Sequence, residues 1–313
     1  MSVASSGIHH VTAISGDPQM TVDFYAGTLG LRLVKRTVNF DDPGTHHLYF
    51  GDEQGTPGTI VTFFPWPNGA RGRGGTGQVN VISFAIPQAS LGWWIERLLA
   101  RGVKHDGPVR RFDEQVLTLR DQDGIALELV ADPRVGERAG WSGGAVPAEH
   151  AIRGVHGVTL WEGALEPTSA FLTRALGFRA VGSEGAIHRF EIGTGGSGAT
   201  ADIRVAEGFW RAAMGVGTVH HIAWRTPDDN AQLAARAELL AAGTAVTAVA
   251  DRQYFHSIYF HEPGGVLFEI ATDPPGFATD EPLASLGSAL KLPPWLEPMR
   301  QELERKLPPV HAP

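Results

Sequence analysis

The sequence predicts an α+β fold assembled from four βαβββ modules. Four segments open alike: HHVTAI from His9, VISFAI from Val81, HGVTLW from His156 and HHIAWR from His220. A helical pattern follows each of them. Two closing segments nearly coincide, DGIALELVAD from Asp123 and GGVLFEIATD from Gly264. Recurrence of element order, and not of composition alone, marks a repeat architecture.

The first helix is entered by Asp17 and Pro18, an N-cap followed by a residue suited to the first helical position. The second carries Leu91, Trp94, Ile95, Leu98 and Leu99, an i, i+3, i+4, i+7, i+8 stripe expected to be buried, and stops at Gly102. The third starts near Pro167 and holds Phe171, Leu172 and Leu176 before Gly177. The fourth begins after Pro227, with Leu233, Ala237 and Leu240 as its stripe, and stops at Gly243. Module one closes with PGTIVTFFP from Pro57, and module three, the loosest match, near Ala201 to Val205. A Gly-, Ala- and Pro-rich linker around Pro133 to Ala151 divides the chain into residues 1–140, the first pair of modules, and 141–313, the second pair plus a C-terminal helical tail.

Composition narrows the function. With 313 residues, 42% of them hydrophobic, the chain can build a sizeable core. A net charge of −8 argues against a nucleic-acid backbone as partner, and the basic loop from Arg71 to Arg73 is embedded in glycines. There is no cysteine, which excludes disulfides, thiolate metal sites and Cys nucleophiles. No signal-peptide pattern opens the sequence, and no apolar run approaches the roughly 20 residues that span a bilayer. A cytoplasmic protein without a membrane partner is the expectation.

Strand alternation selects the residues that face a common cleft. In module four Ile222 and Trp224 take the helix side, which leaves His221 on the open face. The first module, aligned on the fourth, presents His10 and Thr12. In the last strand Val266, Phe268 and Ile270 back onto helices while Glu269 faces the cleft, and Ser257, Tyr259 and His261 face inward from the strand before it. Two imidazoles and one carboxylate form the ligand set of a facial-triad Fe(II) site, so His10, His221 and Glu269 are the expected metal ligands. A glutamate between Phe268 and Ile270 is costly to bury unless a cation neutralises it. Module two offers a matching Glu128, but Val81 and Gly157 stand where the histidines would be. Modules one and four are therefore expected to form the active cleft, and modules two and three a degenerate one.

Other histidines compete. His156 could replace His10, although parity sets it beside Val158 and Leu160 unless a bulge intervenes. His46 and His47 read as chance neighbours or as cleft lining, Glu128 as a residue held by a hydrogen bond or ion pair, Trp93 and Trp94 as helix packing, and Tyr49 as structural.

These residues resemble the vicinal oxygen chelate superfamily, and more narrowly its ring-cleaving dioxygenases of the hydroquinone type. The likeness lies in HLYFGDEQGTPGTIVTFFPWP, PAEHAIRGVHGVTL, DRQYFHSIYFHEPGGVLFEIATDPPGF and LKLPPWLEPMR, and it covers essentially the whole chain. It implies two cup-shaped mixed sheets with helices outside. It also implies Fe(II), or Mn(II), on His10, His221 and Glu269, with His9, Thr12, His220, Arg252 and Tyr259 around the metal. Simple alternation points His9 and His220 away from that metal. Many relatives carry Arg where this chain has His261, which touches on substrate preference.

The reaction so implied is O2-dependent opening of a hydroquinone- or catechol-type ring. Tyr259 or, preferably, His220 would serve as acid or base. Arg252 would stabilise an anionic intermediate. Thr12, His261 and an apolar wall that includes Phe63 would bind the aromatic diol. The rival on the same fold is a metal-dependent lyase or isomerase of the glyoxalase type, which would favour a second carboxylate ligand that is absent here. A ligand-sequestering module would need no complete triad. The sequence leaves open whether the chain forms a homo-oligomer.

Overall fold

The computed structural model describes residues 5–135 and 138–311. Each module starts with a central strand, crosses by a helix and returns as a short meander. Module one comprises β1 (Ile8–Ser15), α1 (Pro18–Val22), β2 (Arg32–Asn39), β3 (Asp42–Gly51) and β4 (Ile60–Pro65). Module two comprises β5 (Gln78–Pro87), α2 (Leu91–Ala100), β6 (His105–Arg111), β7 (Glu114–Arg120) and β8 (Ala126–Asp132). Module three comprises β9 (Val155–Glu162), α3 (Glu166–Arg174), β10 (Arg179–Glu184), β11 (Ile187–Glu191) and β12 (Thr200–Val205). Module four comprises β13 (Thr218–Thr226), α4 (Asp229–Ala241), β14 (Ala250–Asp251), β15 (Phe255–His261) and β16 (Leu267–Pro275). The tail ends in α5 (Arg300–Lys306).

The strands make two curled eight-stranded mixed sheets, ordered β14-β15-β16-β13-β1-β4-β3-β2 and β10-β11-β12-β9-β5-β8-β7-β6. In the first, β1 and β13 meet antiparallel at the centre, so modules one and four share a cup. Modules two and three share the other through β5 and β9. A parallel contact within each module (β1 with β4, β13 with β16) carries the helix across the convex face.

Helix entry follows the caps: Asp17 accepts from Met20 N–H, and Asp228 accepts from Ala231 N–H. The first helix continues as a π-helical turn, Asp23–Thr28, that buries Phe24 and Tyr25. Two expected stripes need correcting. In α2 Trp94 and Leu98 are buried, but Leu99 is 66% exposed. In α4 Leu233 and Leu240 are exposed, and the buried face is Gln232, Ala235 and Leu239. Gln232 replaces a hydrophobe because its amide donates to the carbonyls of His256 and Ile270, both at 2.8 Å.

The tail folds back on β2 and β3 through Leu292, Leu296, Leu303 and Leu307 against Val38. It also neutralises Lys35, a fully buried lysine whose ammonium lies 2.6 Å from both Asp280 and Glu281. No helix among the described residues is long and apolar enough to cross a membrane.

Candidate metal centre and its surroundings

Three side chains converge in the first cup. His221 Nε2 lies 2.8 Å and His10 Nε2 3.4 Å from Glu269 Oε2, and the two imidazole nitrogens are 3.4 Å apart. All three residues are buried, and Glu269 is fully so. Ser257 Oγ donates to Glu269 Oε1, while Oε2 faces the two histidines without a hydrogen-bond donor. Burial opposes ionisation of Glu269, but the neighbouring His10 and His221 outweigh it and hold the carboxyl well below its usual range. A buried carboxylate oxygen within 3.4 Å of an imidazole nitrogen from each of two histidines suits a divalent cation.

His9 and His220 do not point away, and the reason is a pair of β-bulges. Across β1 and β13, Ile8 lies opposite Trp224 and His10 opposite Ala223, so His9 is an extra residue. Thr12 lies opposite His221 and Ala13 opposite Val219, so His220 is the extra residue on the other strand. A bulge breaks strict alternation and re-aims the side chain. As a result His9 Nδ1 sits 2.9 Å from His10 Nδ1, and His220 Nδ1 2.8 Å from His221 Nδ1.

These contacts set the tautomers. A ligand that offers Nε2 to a metal carries its proton on Nδ1 and donates it outward. His9 and His220 then accept at Nδ1 and keep their own protons on Nε2. Burial, with His10 adding to it, keeps the His9 imidazole neutral. Burial and then His221 push His220 down to about 3. With a metal on His221, His220 would face the cleft as a neutral N–H donor.

The rest of the cup is polar on one side. Arg252 Nε donates to Tyr259 Oη at 3.1 Å, and its Nη1 lies 2.9 Å from Asp41 on the β2–β3 turn. Burial, followed by Glu269, raises the Tyr259 phenol above its ordinary value, so it remains protonated. His261 stands exposed at the rim, with Nδ1 3.0 Å from the Gly265 carbonyl oxygen.

Phe63 is not part of the wall. It is fully buried behind the sheet against Tyr25, with ring centroids 4.3 Å apart. Phe64, one residue on and of opposite parity, faces the cleft beside His47 at 4.3 Å and His220 at 5.8 Å. Of the two readings of His47, cleft lining is the one the structure shows, and Tyr49, read as structural, joins it inside the cup: Tyr49 Oη lies 2.9 Å from His47 Nδ1. Alternation along β3 and β4 was the signal that would have found them. His46 points the other way, with Nε2 2.8 Å from the Pro308 carbonyl oxygen in the tail.

In the second cup the matching carboxylate is met by a cation from the chain itself. Arg111 clamps Glu128 with two contacts of 2.8 and 2.6 Å, and Ser83 Oγ donates to the same carboxylate at 2.6 Å. Arg111 precedes Thr118 by the same seven residues that separate Arg252 from Tyr259, and Thr118 pairs with Glu128 as Tyr259 pairs with Glu269. The guanidinium supplies the positive charge that the carboxylate needs. A His10 equivalent is sterically shut out, because a Cβ at Gly157 would sit 2.8 Å from the Thr200 carbonyl oxygen.

His156 is the bulge residue of β9, the repeat-mate of His9, and lies in this second cup. It gathers Glu114 and Asp132 about itself. The two carboxylates approach opposite ring nitrogens, Nε2 at 3.2 Å and Nδ1 at 3.7 Å. Arg189 takes the other Glu114 oxygen at 2.6 Å, and Arg134 Nε takes Asp132 at 3.0 Å. Glu114, Asp132 and His156 thus form a second buried cluster of ligand-type side chains, but unlike Glu269 its two carboxylates are already met by the guanidinium groups of Arg189 and Arg134.

The Glyoxalase/Bleomycin resistance protein/Dioxygenase superfamily profile matches residues 7–129 and 154–270. The chain is 47% identical over 312 residues to "Putative ring-cleaving dioxygenase MhqO" of Bacillus subtilis (strain 168), covering 100% of this chain and 99% of that protein. It is 37% identical over 311 residues to the "Chlorohydroquinone/hydroquinone 1,2-dioxygenase" of a Sphingobium indicum strain, covering 96% and 95%. The crystal structure of a "putative dioxygenase" from Bacillus subtilis subsp. subtilis str. 168 superposes with a TM-score of 0.94 at 46% identity, covering 99% of this chain and 98% of that one.

Proposed function

Since the chain belongs to the glyoxalase/bleomycin resistance/dioxygenase superfamily, we propose that it is an Fe(II)-dependent dioxygenase that opens a hydroquinone- or catechol-type ring with O2. The observation that carries this reading is the His10, His221 and Glu269 convergence around the donor-free Glu269 Oε2. Those residues would hold the ion, Fe(II) or Mn(II). Bound there, the metal would acidify a phenolic hydroxyl and bring O2 and the electron-rich ring together at its remaining open positions.

The chain's own residues do the rest. His9 and His220 fix the ligand rings through the Nδ1 contacts. The Nε2–H of His220 donates to an anionic substrate oxygen without changing charge. Arg252, held by Tyr259 and Asp41, supplies a permanent cation toward the same anion. Tyr259, kept protonated, offers a second neutral donor. Phe64 supports the flat face of an aromatic ring, the role expected of Phe63, and Thr12 and His261 meet its substituents.

Anaerobic loading with Fe(II), followed by an oxygen electrode and a series of substituted hydroquinones and catechols, tests the reading. Stoichiometric O2 uptake with loss of the aromatic absorbance is expected. Turnover of an α-keto hemithioacetal without O2 uptake would instead identify a glyoxalase-type isomerase, and neither activity would refute both.

A further inference from the structure

A chain of hydrogen bonds runs outward from Thr12, which stands opposite the candidate ligand His221 across the sheet, and the roles assigned above leave most of it unused. Thr12 Oγ1 lies 2.9 Å from Thr62 Oγ1. Thr62 Oγ1 lies 2.8 Å from His47 Nε2, and His47 Nδ1 2.9 Å from Tyr49 Oη. The register explains the alignment. Thr12 pairs with His221 on one side and Thr62 on the other, and Thr62 pairs with Tyr49. One row of side chains thus crosses four neighbouring strands on the concave face.

We propose that Thr12, Thr62 and His47 form a proton relay that carries the proton of the substrate hydroxyl away from the buried metal centre and can return it. This rests on the ring-cleaving reading, and it adds the route by which the diol ionises.

Three features single out this row. Thr12 and Thr62 are fully buried, and each hydroxyl has one donor hydrogen and free acceptor capacity, so the pair can point either way. His47 is the only member not fully buried, and it lies two strands from His10, roughly 10 Å at the usual strand spacing. It is therefore the member placed to exchange with water. Tyr49 Oη engages His47 Nδ1 and fixes the ring so that Nε2 meets Thr62. Tyr49 is thus a positioning residue.

The step balances without an oxidant. The substrate O–H bond breaks and its proton goes to Thr12 Oγ1, which passes its own proton to Thr62. Thr62 passes its proton to His47 Nε2, where a new N–H bond forms. His47, the member placed to exchange with water, then passes the proton on to water or returns it along the row.

The test uses full-length Fe(II)-loaded protein and nitrohydroquinone, whose phenolate is coloured, mixed without O2 in a stopped-flow cell. Thr62→Val keeps the shape and removes the link. Its phenolate should appear about 10²-fold more slowly, within the range general acid–base groups contribute, and the D2O effect on that rate should fall. Thr62→Ser should recover the wild-type rate, and His47→Asn should match Thr62→Val should that variant misfold. Iron content should not change in any of them. In steady state kcat should drop with KM nearly constant.

Wild-type ionisation rates in both Thr62→Val and His47→Asn would overturn the relay. Slowed ionisation together with no O2 uptake from any diol by the wild type would keep the relay and refute the ring-cleaving reading.

Discussion

Removing either bulge histidine should weaken metal binding although neither is a ligand. His9→Leu takes away the Nδ1 contact of His10, at 2.9 Å, and His220→Leu that of His221, at 2.8 Å. Among the described residues neither ligand has another hydrogen-bond partner on that nitrogen. Outer partners of metal-bound imidazoles are worth about 10–100-fold in affinity, roughly 1.4–2.8 kcal/mol. The two sites touch different ligands from different strands, so the double variant should lose about 10²–10⁴-fold if the effects multiply. Anaerobic competition for Fe(II) against a chromogenic chelator measures this directly. His156→Leu alters the equivalent bulge in the second cup and serves as the control. Wild-type affinity in both single variants would refute the argument that the bulges exist to orient the ligand rings.

Four further outcomes follow from the same geometry. His10→Ala, His221→Ala and Glu269→Ala should each abolish iron retention while His156→Ala should not, as read by metal analysis after desalting. Tyr259→Phe should keep iron and lower turnover; unchanged turnover would remove the phenol from the mechanism. Arg111→Met should cost roughly 3–5 kcal/mol in urea unfolding, because it strands the buried Glu128 carboxylate with Ser83 alone, and adding Glu128→Gln should recover most of that. Glu162 is buried, and burial followed by Glu262 pushes its carboxyl up to about 8 from 4.5. The stabilisation from its neutral form is complete below pH 4.5 and is lost as pH rises through 8, so Glu162→Gln should exceed the wild type by on the order of 1 kcal/mol at pH 9, with no such gain at pH 5.

Much of the site was legible because strand parity is a local rule. It placed His10, His221 and Glu269 on one face and set Tyr259 beside Glu269. It failed at His9 and His220, where an extra residue on one strand leaves no mark in the sequence of that strand alone. Parity applied along β4 would have chosen Phe64 over Phe63, and helix periodicity misled at Leu233 and Leu240, where the helix buries Gln232 for the sake of two carbonyls. A polar residue facing a core reads as exposed until its partners are known.

The amino-acid order alone determined the repeat, the candidate ligand types and the absence of matching histidines at Val81 and Gly157, since these depend on residue identity and period. Which modules share a sheet was an inference from that asymmetry; the antiparallel joining of β1 to β13 decides it in the fold. Only tertiary structure could bring Arg111 onto Glu128, set Thr200 against Gly157, or line Thr12 up with Thr62 and His47. Those contacts join residues far apart in the chain, and their geometry arises from register and twist, which no single strand carries.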